Sequence, residues 1–312
     1  LVARAAKDNG AEHVILVQPD LFYSAQDRGP RAEHGVVAFK RPGKDFKKFD
    51  GQPFSALLFA QLLKTSGVDG VITVHNHSVS VQSLFSEIFA DTFINLSPAE
   101  LYAHYLTEHA LGPNGTESTD FVICAPDHGA APFVREVHAG IESASARLLL
   151  KTRPALLFMS KVRRGERNVK IGAADDSPTQ LSELKGKVVV VFDDMVRTGN
   201  TIVECCKILK EAGAVRVLFV VTHFHSSDEV KQNLNHEAID EIVTTNTLPQ
   251  VLNRDMQGRL RKKMMVLKIE KWVANFLRKQ FVAAPHRPHD PPYSLDISAK
   301  NPRWRPIHTL GH

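Results

Sequence analysis

The chain has 312 residues, of which 43% are hydrophobic, and this is enough apolar material to bury the cores of two domains. Its formal net charge of +5 suits anionic small molecules as well as nucleic acid. No segment interleaves basic and aromatic residues, no apolar run approaches membrane-spanning length, and no signal peptide is visible. We therefore expect no nucleic-acid partner and no membrane partner. The chain begins at Leu1 without a Met, and we expect its N-terminal part to be missing.

The first half of the sequence alternates between helical and strand patterns. Helices are predicted at 1–9, 53–66 and 98–111, and strands at 13–18, 70–74 and 92–95. Polar residues follow the first two strands, at the sheet edge where open α/β sheets bind ligands. The basic segment, residues 28–50, lacks periodicity and is predicted to be a mobile loop. It is either a solvated excursion or a lid that gathers phosphates.

The pattern restarts after 112–118, a sequence GPNGTES that is typical of a linker. Strands are predicted at 120–125, 155–161, 188–192, 215–222, 241–244 and 264–269, and helices at 131–141, 202–212 and 271–281. The alternation predicts parallel sheets built from βαβ units. We predict domains at 1–113 and 118–282. Residues 283–312, rich in Pro, His and Arg, are predicted to be a disordered tail.

The three cysteines, Cys124, Cys205 and Cys206, are an odd number and do not have metal-ligand spacing. This pattern favours reduced, buried thiols in a cytoplasmic protein.

The sequence KVVVVFDDMVRTGNT at 187–201 contains the strongest functional motif. A buried strand is predicted to stop at Asp193 and Asp194, and residues 198–201 then lead into a helix. Backbone N–H groups and hydroxyls at a helix N-terminus favour an anion, and Gly199 allows close approach or positive φ. Carboxylates repel phosphate but accept hydrogen bonds from sugar hydroxyls and coordinate Mg²⁺. The motif therefore predicts a site for a phosphorylated sugar.

The segment DDMVRTGNT resembles the ribose-phosphate signature shared by phosphoribosyltransferases and PRPP synthetases (ribose-phosphate pyrophosphokinases). Five further segments resemble the synthetases in order, and the resemblance covers nearly the whole chain from 1 to 281. They are FYSAQDR at 22–28, HNHSVSVQSLF at 75–85, PDHGA at 126–130, KVRR at 161–164 and TTNTLPQ at 244–250. A phosphoribosyltransferase that uses PRPP is the less favoured alternative. A single transferase domain would leave the first half of the chain unexplained, and no base-binding hood is evident.

The resemblance implies an α/β fold with two tandem phosphoribosyltransferase-like (type I) domains whose parallel sheets are flanked by helices. It implies transfer of diphosphate from Mg-ATP to the anomeric hydroxyl of ribose 5-phosphate, which gives PRPP and AMP. The cofactor is then Mg²⁺ and the partners are ATP and ribose 5-phosphate. The family also suggests a homo-oligomer, with a hexamer expected, or assembly with a synthetase paralogue, in the cytoplasm.

The resemblance assigns roles to residues at matching positions. The catalytic residues are Lys161 and Arg163, which bring positive charge to the transferring phosphates. The nucleotide is assigned to Gln26, Asp27 and His77, and metal binding to His77 and Asp127. Ribose 5-phosphate is assigned to Asp193, Asp194, Thr198, Gly199, Asn200 and Thr201.

Several residues depart from the family's pattern. An ATP-contacting arginine is replaced by Ala25, the aspartate of Asp-Leu-His by His75, and an acid of the ribose loop by Arg197. Ala130 and Asn200 stand where the pattern has glycine. Two hypotheses therefore stay open. One is a working synthetase in which Arg197 or the basic segment replaces the lost cation. The other is a catalytically weak homologue that binds nucleotide or ribose phosphate and regulates a true synthetase.

Overall fold

A computed structural model describes residues 1–36, 41–109, 121–147, 154–163, 169–282 and 290–296. The chain divides into two compact units, Leu1–Ser97 and Pro98–His312. The first unit therefore ends ahead of the predicted linker, and residues 112–118 of that linker lie outside the described ranges. The unit boundary differs from the prediction because the helix at 99–109 packs against the helix at 131–147, within the second unit.

The first unit contains a sheet of three parallel strands in the order β1-β2-β3. Its elements are α1 (Val2–Asp8), β1 (Ile15–Val17), α2 (Gly43–Lys47), α3 (Ser55–Thr65), β2 (Gly70–Val74), α4 (Val79–Phe89) and β3 (Phe93–Leu96). All five residues of β2 are buried, as expected for the middle strand of a parallel sheet. The core packs Val71 against Phe85 and Phe89 of α4 and Ala56 and Ala60 of α3.

The second unit contains an eight-stranded sheet in the order β11-β10-β9-β8-β7-β4-β5-β6. Its first elements are α5 (Ala99–His109), β4 (Phe121–Ala125), α6 (Ala131–Arg147), β5 (Ala155–Arg163), β6 (Val169–Ala173), β7 (Val188–Val196) and α7 (Asn200–Glu211). Then follow β8 (Arg216–Phe224), α8 (Asp228–Leu234), β9 (Glu241–Thr245), α9 (Arg254–Gln257), β10 (Met264–Lys268), α10 (Glu270–Phe281) and β11 (Ser294–Asp296). The six central strands are parallel, and β6 and β11 are antiparallel at the two edges.

The α/β class with parallel sheets flanked by helices is confirmed. The β-branched run in β7 is buried at the centre of the larger sheet, and it packs on the apolar face of α7. Cys124, Cys205 and Cys206 are free and buried, as predicted. Burial raises the pKa of the Cys124 and Cys206 thiols well above the ordinary value, which keeps them protonated.

The segment predicted as a tail contains β11, which differs from that prediction. Its Tyr293 is buried, and its hydroxyl donates to Glu108 Oε2 of α5 at 3.3 Å. His104 of α5 also contacts this segment, with Nε2 3.2 Å from Asp290 Oδ1. A short strand with one aromatic anchor has no helical or alternating pattern long enough to detect in sequence. In the part of the chain that the structure describes, no helix has the length and apolarity needed to cross a membrane.

Candidate functional site

The Gly199 loop, residues 197–201, joins the carboxyl end of β7 to α7. Gly199 has φ +83°, which is one of the two predicted uses of a glycine here, and it is the N-cap residue of the helix. The first backbone bond of the helix runs from the Val203 N–H to the Gly199 carbonyl at 3.0 Å. The N–H groups of the residues between them have no intrahelical acceptor and lie at the positive end of the helix dipole. The loop therefore has the backbone geometry of an anion site.

Both carboxylates of the motif lie inside β7, which corrects the prediction that the strand stops before them. Asp193 pairs with Val221 of β8, and the pairing continues to Val196 opposite Phe224. The strand persists because β8 is equally long and offers backbone partners to its end. Asp193 and Asp194 are half-buried, and the Asp194 N–H donates to Asp193 Oδ1 at 2.9 Å. Backbone pairing therefore holds the carboxylates more rigidly than a loop would.

Asp127 lies at the carboxyl end of β4, next to β7 in the sheet. Its Oδ1 accepts hydrogen bonds from the N–H groups of Gly129 at 2.9 Å and Ala130 at 3.2 Å, ahead of α6. The other oxygen of this exposed carboxylate is available to solvent or ligand. Asp127 is a predicted metal ligand, and its side chain also closes an Asx turn ahead of α6.

The three carboxylates influence one another. Burial raises the pKa of Asp193 well above its ordinary value, and the negative charges of Asp194 and Asp127 raise it further. A cluster of this kind suits a ligand that donates hydrogen bonds or a hard cation. Among the described residues, no three His, Cys, Asp or Glu side chains form a protein-only metal site. Mg²⁺ commonly takes one or two carboxylates and completes its shell with substrate phosphates and water, so the residues fit that mode.

Lys161 and Arg163 lie near the end of β5, the other neighbour of β4. The strand continues as an antiparallel ribbon with β6, in which Lys161 pairs with Ile171 and Arg163 with Val169. The strand was predicted to end at Lys161, two residues before the observed end of β5, and β6 was not predicted. A short antiparallel ribbon arises from pairing between its two strands, which no single-strand pattern specifies. Residues 164–168, which include the last residue of the KVRR segment, lie outside the described residues.

The predicted nucleotide residues of the first unit lie near one another. Asp27 Oδ2 accepts from the Ser78 hydroxyl at 3.0 Å, and its carbonyl accepts from the Ser80 hydroxyl at 2.6 Å. Ser78 also caps α4 by accepting from the Val81 N–H. Exposed Gln26 and exposed His77 flank this contact along the chain. The structure thus brings the loop after β1 to the carboxyl end of β2.

The backbone after β2 adopts a rare conformation. His75 has φ +49°, which costs a non-glycine residue about 1–3 kcal/mol and requires support from its surroundings. Asn95 supplies that support, because its side chain accepts from the Asn76 N–H and donates to the Asn76 carbonyl, both at 2.9 Å. Gln82 donates to the same carbonyl at 2.6 Å. Sequence reasoning missed Asn95 because its role depends on the pairing of β2 with β3.

The basic segment is structured in its described residues, which corrects the prediction of a mobile loop. Arg41 and Asp45 are buried and joined by a bond of 2.7 Å between Nε and Oδ2. Arg41 also donates to the carbonyls of Arg31 and His34 at 3.0 Å and of Gly29 at 2.8 Å. Arg28 bridges Asp27 and Asp45, at 3.5 and 3.2 Å. The side chains of Arg41 and Arg28 therefore make ion pairs and hydrogen bonds within the first unit.

The predicted site residues fall into two groups. Gln26, Asp27 and His77 lie in the first unit. The second unit holds Asp127, Lys161, Arg163, Asp193, Asp194 and the Gly199 loop. In the second unit, β5, β4 and β7 are adjacent and parallel, so their carboxyl ends share one sheet edge. Asn233, which hydrogen-bonds to the Gly199 loop, was missed because an isolated asparagine carries no motif.

Comparisons with known proteins agree with this architecture. A family model described as "Phosphoribosyl synthetase-associated domain" matches residues 165–283. The chain is 27% identical over 248 residues to ribose-phosphate pyrophosphokinase 1 of Streptococcus pneumoniae, covering 80% of this chain and 64% of the relative. It is 29% identical over 248 residues to ribose-phosphate pyrophosphokinase of Methanopyrus kandleri, covering 78% and 68%. The chain thus spans slightly under two thirds of the first relative's length.

The fold also matches a solved structure. The phosphoribosylpyrophosphate synthetase of Mycobacterium smegmatis superposes with a TM-score of 0.64 at 26% identity, covering 91% of this chain and 76% of that one. The fold defines a protein of the phosphoribosyltransferase-like class, built on parallel sheets flanked by helices. Within that class, the chain is similar to the ribose-phosphate pyrophosphokinases (PRPP synthetases).

Proposed function

We propose that this protein is a PRPP synthetase that transfers the diphosphate of Mg-ATP to the anomeric hydroxyl of ribose 5-phosphate. The single observation that carries the proposal is the junction of β7 and α7. There, strand-held Asp193 and Asp194 precede Gly199, whose left-handed conformation starts a helix. This order of groups suits a ribose carrying a phosphate, because carboxylates accept from hydroxyls and helix-start amides donate to phosphate.

The reaction requires positioning and charge neutralisation rather than covalent work by the protein. We assign ribose 5-phosphate to Asp193, Asp194 and the Gly199 loop, and the nucleotide to Gln26, Asp27 and His77. Lys161 and Arg163 supply positive charge for the transferring phosphates. Carboxylates suit a hard cation, and we assign a cation to Asp127 in the second unit. In the first unit, we separately assign the Mg²⁺ of the nucleotide to His77, and substrate oxygens would complete each shell. Bound Mg²⁺ neutralises phosphate charge.

A catalytically weak, regulatory homologue remains the second candidate, and one observation favours it. The cation lost at Ala25 is not replaced by Arg41, whose side chain is 4% exposed and bonded to Asp45 and three carbonyls. Arg28 is likewise paired with Asp27 and Asp45. Loss of one charge at a transferring phosphate commonly lowers a rate by two to three powers of ten, or about 3–4 kcal/mol. In this case the protein would bind its ligands and modulate a synthetase paralogue.

We further propose that the protein acts in the cytoplasm as an oligomer, either of its own chain or with a synthetase paralogue. The three free, buried thiols are typical of a reducing compartment. Size measurement alone and after mixing with an active paralogue tests the assembly.

The deciding experiment measures AMP by chromatography and PRPP by ³¹P NMR after incubation with ATP, Mg²⁺ and ribose 5-phosphate. We expect both products in equal amounts, and Lys161→Ala to lower the rate about 10²- to 10³-fold. Lys185→Ala is the matched control, since exposed Lys185 precedes β7 at the opposite edge of the sheet. No turnover, with ribose 5-phosphate or ATP still binding in calorimetry, would favour the regulatory homologue.

A further inference from the structure

The C-terminal end of α8 lies directly against the Gly199 loop. A methyl group built on Gly199 would be 3.0 Å from Leu234 Cδ2 and 3.6 Å from Asn233 Cβ. Gly199 is itself buried. The turn before α7 therefore has α8 as a neighbour on one side, and it can shift toward α8 only by displacing Leu234.

Asn233 fixes this turn on both sides of Gly199. Its Nδ2 donates to the Thr198 carbonyl at 2.7 Å and to Asn200 Oδ1 at 2.9 Å. The two protons of one amide nitrogen thus connect the residue before the glycine to the residue after it. A left-handed glycine has many alternative conformations, and two bonds spanning it select one.

Helix α8 is anchored well enough to serve as a fixed support. Its first turn is capped by the Ser227 hydroxyl, which accepts from the Val230 N–H at 3.2 Å. Val230 and Leu234 are fully buried on its inner face. Lys231 on its outer side donates to the Met256 carbonyl at 2.9 Å, which ties the helix to α9.

The contact is also specific to this chain's departure from the family's pattern. Asn200 stands where the pattern has glycine, and glycine has no side chain to accept the second bond. An open cavity of about 370 Å³ lies beside Asn200 and Asn233. Truncating Asn233 therefore leaves room for water and creates no buried void, so the expected loss is in loop geometry rather than core packing.

We propose that Asn233 is a positioning residue that holds Thr198, Gly199 and Asn200 in the conformation that binds the phosphate of the sugar. The proposal rests on the proposed function, because it assumes that ribose 5-phosphate occupies this loop. Asn233 does not contact the ligand and acts through the loop. Its effect should therefore appear in the affinity for ribose 5-phosphate and be absent from that for ATP.

The test compares Asn233→Ala and Asn233→Asp with the wild type. Kd for ribose 5-phosphate is measured by calorimetry, KM for both substrates by PRPP production, and Tm by calorimetric scanning. We expect Asn233→Ala to raise Kd and KM for ribose 5-phosphate about 3- to 10-fold. Asn233→Asp should raise them more, because a carboxylate faces two acceptors and adds negative charge near the phosphate. KM for ATP and Tm should stay at wild-type values.

Two further variants sharpen the test. Gln232→Ala, an exposed neighbour on α8 that lines the same cavity, should match the wild type. In an Asn200→Gly background, Asn233→Ala should raise Kd for ribose 5-phosphate by a smaller factor than in the wild type. One of the two acceptors of the Asn233 amide is already absent there. The proposal would be overturned if Asn233→Asp bound ribose 5-phosphate with wild-type affinity. It would also be overturned if KM for ATP rose as much as KM for ribose 5-phosphate.

The outcomes separate this inference from the proposed function. If the wild type binds ribose 5-phosphate but makes no PRPP, the proposed activity fails, and the Kd series still decides the role of Asn233. If PRPP is made and the Asn233 variants match the wild type, the activity stands and the inference fails. If the wild type does not bind ribose 5-phosphate, both fail.

Discussion

Arg41 and Asp45 form an ion pair whose side chains are only 4% and 5% exposed, within the basic segment 28–50. Arg41 also satisfies three backbone carbonyls of residues 29–34. Its guanidinium lies 4.3 Å from the centroid of the Phe46 ring, so the charge is also covered by an aromatic face. This pair gives an otherwise irregular segment a single arrangement.

We expect Arg41→Ala and Arg41→Lys both to lower Tm and to increase amide hydrogen exchange in residues 29–36. Lysine keeps the charge but has one nitrogen, so it cannot reach Asp45 and three carbonyls together. Lys48→Ala is the control, because Lys48 is 71% exposed and its Nζ is 3.8 Å from Asp45 Oδ1. Wild-type exchange rates in Arg41→Lys would show that charge alone organises the segment.

This pair also predicts a pH dependence. The hydrogen bond from Arg41 lowers the pKa of Asp45 below its ordinary value. The unfolded chain therefore binds the Asp45 proton more readily than the folded protein, and the stabilisation is present at neutral pH. It is lost as the pH falls through the lowered, folded-state pKa. The Tm difference between wild type and Arg41→Ala should therefore narrow in acid, and a constant difference would contradict this account.

Asp193→Asn should stabilise the protein near neutral pH by about 0.5–2 kcal/mol. Burial and the charges of Asp194 and Asp127 raise the pKa of Asp193, so the folded protein binds its proton more tightly than the unfolded chain. The wild type therefore loses stability as the pH rises from the unfolded pKa toward the folded one, and the advantage of asparagine should grow over that range. Denaturant unfolding at several pH values measures it.

The same Asp193→Asn change should weaken binding of ribose 5-phosphate, because asparagine offers one oxygen acceptor and no charge. A gain in stability together with a loss of affinity is the signature of a site residue that is costly to the fold. Asp175→Asn, at an exposed carboxylate, should change neither quantity. A destabilised Asp193→Asn would show that the carboxylate supports the fold instead.

Gly199→Ala should destabilise the second unit and abolish binding of ribose 5-phosphate. The left-handed backbone costs a residue with a Cβ about 1–2 kcal/mol, and that atom would lie 3.0 Å from Leu234 Cδ2. Gly186→Ala is the matched control, since it has φ +81° and no atom within 4 Å of the added carbon. The difference in unfolding free energy between the two variants isolates the contact with Leu234. Equal losses would mean that this contact contributes nothing.

Lys263 should make stability rise with pH in mildly basic solution. Its ammonium donates to the carbonyls of His236 and Ile239, at 2.9 and 2.8 Å, and burial lowers its pKa to about 8. Between pH 8 and the ordinary lysine value, the unfolded chain binds more protons than the folded protein, so unfolding free energy increases with pH. Lys263→Met should remove this increase when unfolding is followed across that range. Lys210→Met is the control. If the free energy of unfolding depends on pH in the same way in both variants, Lys263 is not the cause of the increase.

The sequence alone determined the elements whose pattern is local. The apolar, β-branched run that begins at Val188 predicts a buried parallel strand, because consecutive apolar residues are typical of a strand that is covered on both faces. Gly199 can adopt its positive φ because it has no Cβ, and the two carboxylates before it form a motif that is visible in the sequence. These local features place the candidate ribose-phosphate residues at the junction of β7 and α7.

The tertiary structure alone decided the features that depend on a distant partner. Asp193 and Asp194 lie inside β7 because β8 extends alongside them. Tyr293 holds the segment of β11 in place because its hydroxyl donates to Glu108 of α5. Arg41 is buried because Asp45 and three carbonyls surround it, and Asn233 reaches the Gly199 loop across 33 residues of sequence to Asn200. A hydrogen bond depends on two groups meeting within about 3 Å, and a pattern read along one segment carries no information about the second group.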